Sequence, residues 1–348
     1  FITRDEGIAW ALQMLRFLDT KARKYHGAFS HWLFGDTGKT RHFAGPQDNG
    51  ADTVETAFLA SGFIVLREYF TGDSVEEREI RKLADSLWKG IEWDWFTRGK
   101  QGGPIYWHWS PDYGWEKNHP VRGFNEAAIL YVLALASPTH PIHRDSYHKA
   151  WRHARYGVDR TEFGIPMTLG QGIGPPLFWT HYSYMGLDPR QIHYRGESYF
   201  DHFRKFCQVQ IKYMDSKADT FKGYGSLLWG LTSSANPNGY LGHRPGKRDD
   251  GTIAPTAALS SIPYVPRESL VCLKELYLEH GTELWKDYGF TDAFNLTEDW
   301  VAPVLLGIDA GPIAPMIENA RTKLCWNLFM NAPEIQAVLP ELASPERE

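Results

Sequence analysis

The sequence has few cysteines and no long hydrophobic run, and these two absences exclude several classes of protein. Its three cysteines, Cys207, Cys272 and Cys325, form no CxxC pair, so a zinc knuckle is disfavoured. Each cysteine lies in an apolar helical context, which predicts three buried free thiols. The longest apolar run, 127–136, is too short to span a bilayer. The sequence therefore predicts neither a zinc-stabilised fold nor a membrane protein.

Common catalytic and binding motifs are also missing. Neither Gly-x-Ser-x-Gly nor His-Glu-x-x-His occurs. The glycine-rich stretch 170–174 follows no predicted strand, which disfavours a phosphate loop, and the proline between His140 and His143 disfavours a metal site there. Net charge is −5 with Lys and Arg dispersed, so neither nucleic acid nor an anionic membrane is expected as a partner.

Aromatic residues, in contrast, are abundant. The chain has 14 Trp, 17 Tyr and 19 Phe, more than core filling needs. The loop 107–115 has the sequence WHWSPDYGW, which combines aromatic and polar side chains at high density. Pyranose rings expose apolar C–H faces that stack on Trp and Tyr, so this composition predicts a sugar-binding cleft.

Apolar residues recur at helical spacing through most of the chain, whereas period-2 alternation is scarce. The predicted helices cover about 6–25, 52–70, 75–90, 124–136, 145–153, 175–184, 198–214, 224–231, 255–260, 267–280, 285–294 and 312–330, the segment 285–294 being either a helix or a hairpin. No linker or low-complexity tract marks a boundary. We therefore predict an all-α fold, a single domain over 1–348, with about twelve helices forming an α/α toroid.

Four carboxylates stand at predicted helix starts. Asp52 and Glu55 share one face of the second helix, Glu126 begins the apolar fourth helix, and Asp309 precedes Gly311 and the last helix. Each also has a structural interpretation. Asp52 and Glu55 fit a capping box, Glu126 fits a first helical turn capped by Asn125, and Asp309 fits an N-cap. If these are inner helices of one toroid, the carboxylates surround one opening.

Hydrolysis of a glycosidic bond requires a carboxylic acid that protonates the leaving oxygen and a second carboxylate that activates water or attacks carbon. Burial and neighbouring carboxylates raise the pKa of the acid, whereas a helix N-terminus lowers it. Because Asp52 and Glu55 would act on Glu126 in this way, we assign Glu126 as the acid. The base is expected across the cleft.

Six ordered segments resemble one family. They are GFNEA (123–127), DTVETAFL (52–59), PLFWTHYS (176–183), WGLTSS (229–234), DGTIAPTAA (250–258), and GPI (311–313) with MIEN (316–319). Together they resemble the glucoamylase-like domain of glycoside hydrolase family 144, the bacterial β-1,2-glucanases. The resemblance covers nearly the whole chain.

The resemblance implies an (α/α)6 barrel without a metal or other cofactor. It also implies a glycoside hydrolase that cleaves β-1,2-glucan or β-1,2-glucooligosaccharides with anomeric inversion. Asp52, Glu55 and Glu126 match the essential acidic positions of the family. Asp309 matches the aspartate of its Asp-Gln-Gly-Pro motif and is the candidate base, acting directly or through a water chain. The predicted substrate-binding residues are Trp107, His108, Trp109, Trp115, Arg122, Trp179, His181 and Tyr182.

The sequence departs from the family pattern at three places. Ala310 replaces the glutamine after Asp309, SANP (234–237) replaces Ser-Asp-Gly-Pro, and Arg267 stands where an acidic residue is common. These changes leave endo and exo cleavage open. They also leave two alternatives, a carbohydrate-binding protein of the same fold with impaired catalysis, and a hydrolase or lyase for a different glucan.

No signal peptide is evident, but the chain begins at Phe1, which is compatible with a processed N-terminus. With the bacterial family resemblance, this predicts a periplasmic or secreted protein. We also expect a monomer whose partner is a β-1,2-linked glucan or oligosaccharide.

Overall fold

Helices are the main regular secondary structure of the chain. The computed structural model describes residues 2–152 and 156–343. The α-helices in these ranges are α1 (Arg4–Thr20), α2 (Thr53–Tyr69), α3 (Val75–Lys89), α4 (Ala128–Ala136), α5 (Tyr199–Asp215), α6 (Pro255–Leu259), α7 (Pro266–Leu278), α8 (Gly281–Leu284), α9 (Gly307–Ala310), α10 (Ile313–Arg321), α11 (Leu324–Met330) and α12 (Pro333–Ala343). Shorter helical turns are the π-helix Ser146–Trp151 and the 3-10 helices Trp95–Thr97, Leu177–Thr180, Tyr182–Tyr184 and Pro189–Gln191. Within the described part of the chain, no helix is long and apolar enough to cross a membrane.

Short antiparallel ladders connect many of the helices. The paired strands are β1 (Lys24–Tyr25) with β2 (Ala28–Phe29), β3 (Trp32–Leu33) with β4 (Thr40–Arg41), β5 (Ala51–Asp52) with β6 (His108–Trp109), β7 (Arg160–Glu162) with β8 (Ile165–Met167), β9 (His193–Tyr194) with β10 (Glu197–Ser198), β11 (Ser233–Asn236) with β12 (Gly239–Gly242), β13 (Trp285–Lys286) with β14 (Gly289–Phe290), and β15 (Phe294–Asn295) with β16 (Trp300–Val301). Strands of two to four residues carry no detectable period-2 pattern, so the sequence did not predict them. The prediction of helices alone is corrected to a mainly helical fold with short ladders.

The chain divides into two compact units. The first consists of Phe1–Gly123, Ala127–Ala154 and Asn327–Glu348, and the second of Phe124–Glu126 and Arg155–Trp326. The single domain over 1–348 stays a prediction.

The core of the first unit forms around α2 and α4. Helix α2 packs against α3 and α4, and α12 packs on α4. All residues of α4 except Leu135 are buried, as its uninterrupted apolar sequence requires. Helix α3 begins at Ser74, whose Oγ accepts a hydrogen bond from the Glu77 N–H at 3.1 Å, and it buries an apolar face that includes Ile80.

The core of the second unit is aromatic. Helix α5 presents Phe203 and Phe206 on one buried face, and both contact Phe124, with ring centroids at 6.2 and 5.8 Å. Tyr184 meets Phe203 edge to face at 4.5 Å. Such aromatic pairs add about 0.5–1.5 kcal/mol each beyond the burial of their area. This cluster fixes the segments on either side of Phe124 and Tyr184.

Several predicted helices differ from the structure. The fourth begins at Ala128 rather than Phe124, because 124–127 form bends and a turn. The predicted helix 175–184 is two successive 3-10 helices. The segment 224–231 is not helical, and Gly230 has a φ of 136°, which an α-helix does not permit.

Three further predictions concern less regular segments. The stretch 285–294 contains the hairpin β13–β14, one of the two predicted alternatives. The predicted last helix is interrupted at Lys323, whose φ of 62° separates α10 from α11. The predicted fifth helix contains the π-helix Ser146–Trp151, and its last residue, His153, lies outside the described residues.

The three cysteines are free thiols, as predicted. Cys207 and Cys272 are buried, and burial raises the pKa of each thiol to about 12. Both are therefore protonated packing residues at neutral pH. Cys325 is only half-buried, so the prediction of three buried cysteines is wrong at this position.

Candidate active site

Asp52 caps the first turn of α2. Its backbone is extended, and its Oδ1 accepts hydrogen bonds from the backbone N–H groups of Val54 and Glu55, each at 3.0 Å. The β5–β6 ladder places Asp52 opposite His108. The predicted capping role of Asp52 is therefore confirmed.

The other oxygen of Asp52 organises neighbouring rings. Asp52 Oδ2 lies 2.8 Å from His31 Nδ1 and accepts a hydrogen bond from Trp107 Nε1 at 3.2 Å, while His108 Nδ1 lies 3.6 Å away. Burial alone would raise the pKa of Asp52, but the His31 hydrogen bond and the charge interactions with His108 and His31 lower it overall. Both oxygens bind protein donors, which supports an orienting role and does not support direct contact with a sugar.

Glu55 is the more accessible carboxylate of this pair. Its side chain is 19% exposed, against 0% for Asp52, and its Oε1 lies 3.9 Å from His31 Nδ1. His31, Asp52 and Glu55 offer ligand atoms within 4.8 Å of one another, as a metal site would. However, the 2.8 Å between His31 and Asp52 is a hydrogen-bond distance, and Asp52 Oδ2 also binds Trp107. The geometry fits a hydrogen-bonded histidine–carboxylate network.

Asp309, the candidate base, lies in the second unit within the short helix α9. The N-cap of α9 is Leu306 and that of α10 is Pro312, so the prediction that Asp309 caps the last helix is wrong. Its side chain is buried, with 1% of the residue exposed, and Oδ1 accepts hydrogen bonds from Tyr182 Oη at 2.7 Å and Tyr240 Oη at 3.1 Å. Because 52% of Tyr240 is exposed, this ring connects the buried carboxyl with the surface of the unit.

Asp292 forms a second buried carboxyl beside Asp309. It is 4% exposed, its Oδ2 accepts a hydrogen bond from the Ala235 N–H at 2.7 Å, and its charge interacts with that of Asp309. Burial, followed by the charge of Asp292, raises the pKa of Asp309 to about 8, and burial raises the pKa of Asp292. Two adjacent buried carboxyls cannot both ionise easily, so the pair retains a proton near neutral pH.

Glu126, the predicted acid, lies in the turn that precedes α4. It is half-buried, and its backbone carbonyl accepts a hydrogen bond from Ser183 Oγ. Helix α4 begins after Ala127 and has no side-chain cap, so Asn125 is not the N-cap. Glu126 therefore stands in an irregular segment, where its position is set by contacts such as Ser183 rather than by helix geometry.

A family model described as "Glycoamylase: Putative glucoamylase" matches residues 118–333, well over half of the chain. The chain belongs to the Glycoamylase family. The matched range includes Glu126, Asp292 and Asp309, but not Asp52 or Glu55.

Three relatives extend this finding. The chain is 41% identical over 363 residues to an exo β-1,2-glucooligosaccharide sophorohydrolase (non-reducing end) of Parabacteroides distasonis; the match covers 99% of this chain and 50% of the relative, so the chain spans about half the length of this curated relative. It is similar to the crystal structure of a β-1,2-glucanase from the same organism, with a TM-score of 0.95, 41% identity and coverage of 99% of this chain and 52% of that one. It also resembles the endo-β-1,2-glucanase from Chitinophaga pinensis in complex with sophorotriose and glucose. The TM-score is 0.93 and the identity 41%, and the match covers 98% of this chain and 82% of that one. The expected relationship to bacterial β-1,2-glucanases with a glucoamylase-like domain is confirmed.

In this Glycoamylase chain, two predicted binding residues lie beside Asp52. Trp107 donates to Asp52 and stacks on His119 with centroids 5.1 Å apart, and His108 Nδ1 is buried within 3.6 Å of Asp52. Arg122 is exposed. Trp107 and His108 are thus part of the Asp52 network in the first unit.

Trp109 and Trp115 belong to an aromatic group. Trp109 meets Trp95 edge to face at 5.4 Å, and Trp115 contacts Trp95 at 4.9 Å and the guanidinium of Arg98 at 5.4 Å. Trp115, Trp95 and Arg98 line a pocket of about 680 Å³. These ring contacts leave less of Trp115 for a sugar than the sequence suggested.

The predicted residues of the second unit differ in accessibility. Tyr182 contacts Asp309, and Trp179 is half-buried and meets Phe124 edge to face at 5.9 Å. His181 is buried, its Nε2 lies 2.9 Å from Ser261 Oγ, and burial lowers its pKa to about 3. A neutral, enclosed His181 does not support the predicted contact with substrate.

Sequence reasoning missed three residues that the structure places at these sites. Asp292 lies in TDAFN (291–295), which is not an apolar run like that after Glu126, so its burial is evident only in the structure. His31 and Tyr240 carry no local signal either, since they reach their partners through contacts between segments 21 and 69 residues apart.

Proposed function

We propose that this chain hydrolyses β-1,2-linked glucans or glucooligosaccharides. The observation that carries the proposal is the buried Asp309 carboxyl, which two tyrosine hydroxyls bind and Asp292 accompanies. Such a carboxyl has the perturbed pKa expected of a residue that exchanges protons during catalysis. The protein is 41% identical to relatives whose names state β-1,2-glucan hydrolysis, and this supports β-1,2-glucans as the substrate class.

In this proposal Glu126 protonates the glycosidic oxygen. Asp309, ionised within its pair with Asp292, accepts a proton from the attacking water, directly or through a short water chain. Water attack opposite the leaving group gives inversion. Glu55, Trp107 and exposed aromatic rings bind the sugars. We also propose an (α/α)6 barrel in a single domain, and membership of glycoside hydrolase family 144.

Glu126→Gln and Asp309→Asn test the assignment on β-1,2-glucan. Each keeps the shape of the side chain and removes its proton chemistry, so kcat should fall by about 10²–10⁴-fold. Glu298→Gln changes an exposed carboxylate in the same unit and is the matched control. Turnover near wild type in Glu126→Gln would remove that residue as the acid.

Product analysis separates the remaining alternatives. Proton NMR of the first-formed product should show the α-anomer, because inversion of a β-linkage produces it. Unsaturated products would indicate a lyase, and calorimetric binding of sugar without product would indicate a binding protein. A ladder of product sizes would indicate endo cleavage, whereas accumulation of one short oligosaccharide would indicate exo cleavage. One relative is named as an exo enzyme and another as an endo enzyme.

The periplasmic or secreted location and the monomeric state are part of the same proposal. Cell fractionation of the host and light scattering of the purified protein test them.

A further inference from the structure

The hairpin β11–β12 touches both carboxyls of the Asp292–Asp309 pair. Ala235 and Tyr240 are opposite each other in this hairpin. The Ala235 N–H donates to Asp292 Oδ2 at 2.7 Å, and the Tyr240 hydroxyl donates to Asp309 at 3.1 Å. One pair of hairpin residues therefore binds one carboxyl each, which fixes the two acids relative to a single rigid element.

The hydrogen bonds around the pair leave one oxygen without a donor. Asp309 receives two hydroxyls, and Asp292 Oδ2 receives a backbone N–H. Asp292 Oδ1 is buried, and among the described residues it meets no N–H or O–H group. Its carboxyl is, however, close enough to the Asp309 carboxyl for their charges to interact. A carboxyl–carboxyl contact of this kind is favourable only when one of the two carries a proton.

We propose that Asp292 is a positioning residue for catalysis and that it shares one proton with Asp309. This inference rests on the proposed function. With the proton on Asp292, the Asp292 O–H donates to Asp309, which then carries the negative charge and accepts hydrogen bonds from three hydroxyl groups. When water attacks the anomeric carbon, its oxygen bonds to that carbon and its proton passes to Asp309. The glycosidic oxygen leaves with the proton of Glu126, and the pair then holds two protons and no charge.

The other titratable groups around the pair fit this arrangement. Burial and the neighbouring Asp309 raise the pKa of Tyr240, so its hydroxyl stays a donor. The Tyr182 hydroxyl bond favours ionised Asp309, and the charge of His243 favours ionised Asp292. Tyr240, Tyr182 and His243 are not carboxyls. Removing the Asp292 carboxyl therefore takes away the group that shares a proton with Asp309.

Carbon NMR of enzyme labelled at the aspartate carboxyl carbons tests the shared proton without relying on activity. In the wild type, one carboxyl of the pair should titrate near pH 8. Asp292→Asn should move that titration to lower pH, because the Asn side chain carries no charge beside Asp309 while burial still raises the pKa of Asp309. Asp309→Asn should likewise remove the titration near pH 8, and it tests the same pair if Asp292→Asn does not fold. A carboxyl that still titrates near pH 8 in Asp292→Asn would overturn the proposal.

Kinetics then separates positioning from a purely structural role. Asp292→Asn should lower kcat by about 10–100-fold with little change in KM, as is usual for partners that orient a functional group. The alkaline limb of its kcat/KM profile should also differ from wild type, because the pair's second ionisation is gone. Asp188→Asn, which changes a buried carboxylate bound by Arg190 in the same unit, is the control and should keep the wild-type profile. Equal kcat/KM profiles against pH for Asp292→Asn and wild type would refute the positioning role of Asp292.

Inactivity of the wild type on β-1,2-glucan would refute only the proposed function, since the NMR titration still reports on the Asp292–Asp309 pair.

Discussion

Replacing Asp309 with asparagine is expected to make the protein more stable at neutral pH while it lowers kcat. The reason is electrostatic. Asp309 is buried beside Asp292, so forming a second charge there is unfavourable, and burial first and Asp292 next raise its pKa from 3.8 to about 8. Asparagine keeps the volume and the hydrogen-bond acceptor but cannot ionise.

The size of the effect follows from proton linkage. Between pH 3.8 and about pH 8 the unfolded chain has lost the proton that the folded pair still binds. The free energy of unfolding of the wild type therefore falls as pH rises through this window, by about 1.4 kcal/mol per pH unit. From pH 5 to pH 7 the wild type should lose about 2.7 kcal/mol relative to Asp309→Asn. Above the folded-state pKa the difference becomes constant.

Urea denaturation of both proteins at several pH values between 5 and 9 measures this difference directly. Contributions from groups outside the pair are common to the two proteins and cancel. Asp292→Asn should change the slope in the same direction but by less, because burial still raises the pKa of Asp309 when the charge of Asp292 is gone. Asp188→Asn is the control: it shows how much the loss of one buried carboxylate outside the pair changes the dependence of the unfolding free energy on pH. If wild type and Asp309→Asn have parallel stability curves from pH 5 to 7, the pair does not hold an extra proton, and the reasoning fails.

Other predictions concern single contacts. Tyr182→Phe removes a hydroxyl that favours ionised Asp309, so the titration of the pair near pH 8 should move to higher pH in carbon NMR. Asp52→Ala removes the cap of α2 and the nearer of the two carboxylates beside His31, which should cost about 2 kcal/mol in urea denaturation, with a smaller loss for Asp52→Asn. Ser74→Ala should cost about 1 kcal/mol through loss of the α3 cap, and an unchanged midpoint would contradict that role.

The sequence predicted best those helices whose signals are local. Helices α2, α3, α5 and α7 have polar or proline starts and amphipathic spacing, and their predicted bounds agree with the structure to within a few residues. The segment 224–231 failed because glycines with positive φ override its apolar composition. The two-stranded ladders within residues 2–152 and 156–343 depend on pairing between segments, which no local pattern records.

In the candidate site, too, the sequence predicted local contacts and did not predict contacts between distant segments. The Asp-x-x-Glu spacing correctly predicted that Asp52 caps a helix, since capping involves the next three residues only. The Asp292–Asp309 pair joins residues 17 positions apart through tertiary structure, and Tyr240 comes from a separate hairpin. The prediction that His181 binds substrate follows from the family resemblance, and the sequence does not reveal which side of the short 3-10 turns is buried.

Asp52 and Asp309 demonstrate that burial alone does not set the charge of a carboxylate. Both are nearly inaccessible, yet the pKa of Asp52 is lowered and that of Asp309 is raised. Asp52 receives two backbone N–H groups, an indole N–H and a contact with His31, which stabilise its negative charge. Burial first and the charge of Asp292 next oppose the negative charge of Asp309, and its two hydroxyl donors offset only part of this. A carboxylate stabilised by so many N–H donors keeps its charge throughout a reaction cycle, whereas one that shares a proton can gain and lose it. Proton transfer in this chain should therefore involve Asp309, and Asp52 should hold its surroundings in place.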